Sequence, residues 1–136
     1  MKPIGFLLGL LIWPGVTLAQ ETGQGSAAAL SSIGYDSVQA AFDAVSADPE
    51  ASRSEYEGWA LFTQKADGKY ILWSFTPEDH PMHPSAVRRE VMRKDGEVFI
   101  NMGILCYSSR FDCDQLVEQF QQINARIKQK LEADPG

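Results

Sequence analysis

Between Gly58 and Leu105 the hydrophobic positions leave helical spacing for an extended pattern. Four runs rich in β-branched and aromatic residues follow one another: Gly58–Gln64, Lys69–Thr76, Ala86–Lys94 and Glu97–Leu105. Asp67-Gly68 separates the first two and Asp95-Gly96 the last two. Asp-Gly tolerates the positive φ angles of a two-residue turn, so this spacing predicts two antiparallel hairpins. The connection between them, Pro77 to Ser85, holds prolines at 77, 81 and 84 that cannot donate to a ladder, and it reads as an ordered surface loop.

Helical spacing frames this block on both sides. Upstream, Val38, Ala41, Phe42 and Val45 fall at i, i+3, i+4 and i+7 behind an Asp36/Gln39 capping pair, and Asp48-Pro49 stops the run. Downstream, Cys113, Leu116, Val117, Phe120, Ile123 and Ile127 trace one apolar stripe behind a second capping pair, Asp112 and Gln115. The expected fold is α+β, a four-stranded antiparallel meander packed by a short N-terminal helix and a longer C-terminal one, in the order α-β-β-β-β-α. The second and fourth runs are apolar on both faces, so both sides of the sheet need cover. Either the helices take opposite faces, or they share one and leave the other to a second copy, forming a homodimer, or to another partner.

The first nineteen residues follow neither pattern. A single Lys2, an apolar run from Ile4 to Val16 and a small-residue end at Ala19 read as a secretory signal peptide, residues 1–19. Residues 20–34 are small and polar and read as a flexible lead, and 35–132 as one α+β domain. The expected location is the periplasm or the medium, with no stable membrane insertion once the leader is removed. An oxidising compartment also decides how Cys106 and Cys113 are read, namely as a disulfide rather than as a nucleophile. The chain is acidic, at a formal charge of -6 that becomes -7 without Lys2, which argues against nucleic acid as a partner.

Three constellations carry candidate chemistry. The loop Glu78-Asp79-His80-Pro81-Met82-His83-Pro84 gathers both histidines of the chain beside a thioether, a donor set suited to copper and, with further ligands, to zinc, so His80, Met82 and His83 are the candidate metal ligands. Arg88 and Arg89 sit side by side on the third run and therefore face opposite ways. Each either receives a carboxylate or phosphate from a ligand or pairs with Glu57 or Glu97 across the sheet. The ring closed by Cys106 and Cys113 presents Tyr107, Arg110 and Phe111, residue types favoured at binding hot spots. The competing structural reading makes Phe111 a hydrophobic staple just before an Asp112 cap. No Ser-His-Asp order, Gly-rich phosphate loop or zinc-protease motif is present in the sequence, so no catalytic residue is assigned.

The stretch Trp73-Ser74-Phe75-Thr76-Pro77, then His80-Pro81, Pro84-Ser85-Ala86-Val87-Arg88-Arg89, Leu105-Cys106 and the helix at Cys113 resembles small exported proteins of Gram-negative bacteria. The resemblance implies one compact domain and brings no functional residue with it. The function expected from the sequence is that of an exported, disulfide-stabilised binding or accessory module for a protein or envelope component. The alternative is a periplasmic copper-type metal-binding protein using the His80/Met82/His83 loop.

Overall fold

The computed structural model describes residues 31–134; the expected signal peptide and residues 20–30 of the expected lead lie outside the described residues. The elements in chain order are α1 (Val38–Ala47), β1 (Ser52–Tyr56), β2 (Trp59–Ala66), β3 (Lys69–Phe75), β4 (Ser85–Lys94), β5 (Glu97–Cys106) and α2 (Arg110–Ala133). The strands form one antiparallel sheet in the order β1-β2-β3-β4-β5. The α+β meander is as expected, with one strand more.

That extra strand, β1, has every residue exposed, so it carries none of the alternation by which a half-buried strand is recognised. What places it is its turn. Glu57 and Gly58 take φ of 49° and 82°, the same left-handed pair found at Asp67-Gly68 and Asp95-Gly96. All three hairpins therefore close through two residues of positive φ, which matches the right-handed twist of the strands they join.

Both helix starts differ from the expected capping pairs. Ser37 caps α1, its Oγ accepting from the Ala40 N–H at 3.0 Å, while Gln39 instead reaches Asp43. Ser109 caps α2, its Oγ accepting from the Asp112 N–H at 3.1 Å. Asp112 is thus the fourth residue of a Ser-x-x-Asp box rather than the cap itself, and α2 begins three residues earlier than the Cys113 stripe predicts.

The two helices take opposite faces of the sheet, the first of the two arrangements anticipated. On one side α1 brings Val38, Ala41 and Val45 onto Phe62, Trp73, Phe75 and Ala86. Aromatic edges lock this layer, with Phe42 set against Phe62 and Phe75 at 5.9 and 5.2 Å between ring centres. On the other side α2 brings Leu116 and Phe120 onto Val87 and Met102. The middle of the sheet is therefore apolar on both faces because it is covered on both faces.

Packing also begins earlier than expected. Ser31 bridges β5 at Gly103 through its N–H to the Met102 carbonyl at 2.9 Å, and Ile33 is only 4% exposed in the α1-side core. Residues 31–34, expected to belong to the flexible lead, are thus part of the domain. Gly103 permits this close approach, since a Cβ there would collide with the carbonyl oxygen of Ser31. Gly103→Ala should lift the segment and expose Ile33, at a cost of about 1–2 kcal/mol in urea unfolding. An unchanged midpoint would mean that residues 31–33 contribute nothing to stability.

Cover on the α2 side is incomplete. This helix lies chiefly against β5, pinned near its end where the Arg93 guanidinium donates to the Leu131 and Asp134 carbonyls and Glu132 accepts from the Val98 N–H. The same face of β1–β3 is left partly open. Tyr56, Thr63 and Tyr70 are exposed there, and Trp59, Leu61 and Leu72 are half-buried.

Candidate functional site

The adjacent arginines of β4 meet opposite fates. Arg88, on the α1 side, donates to Glu90 at 2.6 Å, and Lys69 on β3 holds the other oxygen of that carboxylate at 3.1 Å. Neither Glu57 nor Glu97 is involved, contrary to the expected cross-strand pairing; Glu97 faces Lys128 at 3.7 Å instead. The pairing with Arg88 first, and then with Lys69, holds the Glu90 carboxyl below its ordinary value. A carboxyl depressed in the folded state stabilises above its unfolded value and loses that contribution only as pH falls through the depressed one. The stability gap between wild type and Glu90→Gln should accordingly stay level from pH 7 to about 4.5 and close below it, as read by denaturant midpoints. No gap at pH 7 would show the triad to be inert.

Arg89 has no such partner. It points to the α2 side between Val87 and Val91, is 7% exposed, and lies under the Phe120 ring at 5.1 Å from its centre. Its Nη2 reaches Ser74 Oγ on β3 at 3.4 Å, while Nε and Nη1 are buried without an acceptor. Among the described residues no carboxylate forms an ion pair with it. Removal from water pushes the guanidinium down to about 10, still charged at neutral pH. A buried cation with unspent donors is energetically costly, and such groups are ordinarily satisfied by an anion or a polar partner.

The guanidinium belongs to the floor of a groove of about 560 Å³ between α2 and β1–β3. Four side chains make its apolar wall: Trp59, Phe120 at 5.7 Å from it, Leu61 and Ile123. Arg126 and Gln119 stand at the helix rim, with Tyr56 and Glu57 at the far end on the first hairpin. An apolar trough with one buried charge at its base is the form taken by sites for small amphipathic ligands.

His80 joins this groove from the Pro-rich loop. Its ring lies edge-on to Trp59 at 5.0 Å, and its Nδ1 accepts from the Met82 N–H at 3.1 Å. His83 opens onto a different groove, beside the start of α1, and shares its Nδ1 with Thr76 at 3.0 Å to Oγ and 3.1 Å to the carbonyl. Met82 is buried in the α2-side core at 6% exposure, and its carbonyl accepts from Ser85 Oγ. The structure therefore spreads His80, Met82 and His83 over two grooves and a core rather than converging them on one point. Among the described residues no group of three or more His, Cys, Asp or Glu is placed to hold a metal ion.

The bonded ring between Cys106 and Cys113 ties β5 to the first turn of α2. Tyr107 donates its hydroxyl to the Asp36 carbonyl at 3.1 Å, linking the ring to the entry of α1. Arg110 approaches Asp114 at 4.0 Å with both side chains in solvent. Phe111 is 69% exposed, so it is not the staple of the structural reading; with Ser109 as the cap it falls inside the first turn and points outward.

Of the residues singled out from sequence, Arg89 alone enters the groove as a candidate ligand contact, with His80 beside it in a role other than metal binding. Ser74, Trp59, Phe120 and Arg126 were missed. One signal was available: Arg89 interrupts the inward-facing row Val87, Val91 on β4, and Ser74 ends the row Tyr70, Leu72 on β3, diagonally across from it. The chain matches no family model, no curated protein and no solved structure, so the chemistry of the groove rests on its own residues.

Proposed function

We propose that the protein is an exported module that acts by binding rather than by catalysis, and that its binding site is the groove over Arg89. The observation that carries this reading is a guanidinium, nine-tenths buried and charged, with Nε and Nη1 unspent at the base of an apolar trough. An occupant bearing negative charge offsets the buried cation and turns a destabilising burial into a recognition contact. Export rests on the leader pattern of residues 1–19, and the disulfide is consistent with an oxidising destination.

A photo-crosslinking amino acid at Gln119, on the groove rim, tests the site in the native envelope, with Glu118 on the same helix but outside the groove as control. An adduct seen from Gln119, absent from Glu118 and lost on Arg89→Met supports the reading. Identical products from both positions, or an adduct indifferent to Arg89, overturn it. Export is checked separately: the full-length chain expressed in a Gram-negative host should appear in the periplasm or medium without its first nineteen residues. Retention of the intact leader in the cytoplasm removes export from the reading.

A further inference from the structure

Building on the groove reading above, we propose that the occupant is a small amphipathic monocarboxylic acid, its carboxylate at the Arg89 guanidinium and its apolar body along the trough. Charge selects the head group. The floor offers one buried cation, with Arg126 at the rim and Glu57 at the far end. A carboxylate brings one negative charge and matches one guanidinium in both charge and planar geometry. A phosphomonoester brings about -1.5 to -2, more than the one buried cation compensates, and Glu57 at the far end adds a like charge. The net charge of -6 on the chain further disfavours attraction of polyanions from a distance.

Shape selects the body. From Arg89 on β4 to Tyr56 on β1 the groove crosses three strand intervals, about 14 Å at the usual spacing. Trp59, Leu61, Phe120 and Ile123 line this path with no second buried polar group apart from Ser74, which Arg89 already engages. The volume of about 560 Å³ suits a small molecule rather than a folded partner. A straight or aryl-bearing acid of medium length fits that combination, with an anchored head and an unspecific tail.

The test is calorimetric titration of the protein, expressed from its full-length coding sequence and stripped of bound lipid, with decanoate, decanol, decyl phosphate, and an apolar hexapeptide as free acid and as amide. Decanoate should bind one to one, at least tenfold tighter than decanol. Arg89→Met should remove that advantage and leave decanol unchanged, which separates loss of the head-group contact from loss of the trough. Equal binding of decanoate and decanol, or undiminished decanoate binding by Arg89→Met, overturns the proposal. Tighter binding of decyl phosphate or of the peptide acid than of decanoate overturns the ligand class, and so does failure of decanoate to bind at all. If in either case the Gln119 adduct remains dependent on Arg89, the groove stands as the binding site and only the monocarboxylate is lost.

Discussion

Arg89→Met should make the empty protein more stable while it abolishes binding of an anion. The physical cause is desolvation: burial alone lowers the guanidinium from its ordinary value to about 10. In the unfolded chain the proton is held more tightly than in the folded one. Below about pH 10 both states carry the charge, and the folded state bears the full desolvation penalty, about 3 kcal/mol for a shift of this size. From about pH 10 up to the ordinary guanidinium value the folded state releases its proton first, so stability attributable to this group rises with pH.

Methionine removes the charge and keeps most of the volume. Against that gain stand the stacking on Phe120, of about 1 kcal/mol, and the donor lost to Ser74, which is itself fully buried. A net gain of about 1–2 kcal/mol remains, a rise of roughly 5–10 °C in melting temperature for a domain of this size. Anion binding should reverse the order, since a ligand that binds only the folded wild type adds stability that the variant cannot receive. A variant less stable than wild type by a kilocalorie or more would make Arg89 a structural cation and remove the main argument for the site.

What the sequence made legible divides along physical lines. The hairpins at Asp67-Gly68 and Asp95-Gly96, the stripe of α2 and the disulfide were readable, because turn chemistry and periodicity are local properties and the chain holds only two cysteines, seven positions apart. Strand β1 was not, because an edge strand in solvent on both faces has no hydrophobic period to show; only its Glu57-Gly58 turn marked it. The lead was judged by composition, yet Ile33 docks because Gly103, seventy residues away, leaves room for it. The site was half legible. Sequence placed Arg88 and Arg89 on opposite faces, but the decision between them came from Glu90 and Lys69 on one side and from the placement of α2 on the other. Lying chiefly against β5, α2 leaves β1–β3 open and brings Phe120 over Arg89, and no local pattern encodes that placement.

The placement of α2 is held by two clamps, and removing the covalent one should have the second large effect. At its end α2 is held by Arg93 and Glu132, and at its start by the Cys106–Cys113 bond. A ring this short, spanning seven positions, restricts the unfolded chain by roughly 2–3 kcal/mol on the chain-entropy account. Cys106→Ser/Cys113→Ser should therefore lower the melting temperature by roughly 10–20 °C. Reduction of the wild type with a small thiol should reproduce the loss.

Hydrogen exchange distinguishes a clamp from a general stabiliser. Amides of residues 112–117 should lose protection selectively, because Ser109 still caps the helix but only the packing of Leu116 then holds its first turns to the sheet. Amides of residues 128–133 should keep theirs through Arg93 and Glu132. Groove affinity should then fall only a few-fold, since Phe120 and Ile123 sit between the two clamps and one of them survives. Uniform loss of protection along α2 would show that the bond acts on the whole domain rather than on the helix start. An unchanged melting temperature after reduction would free the sulfur pair from a structural role altogether.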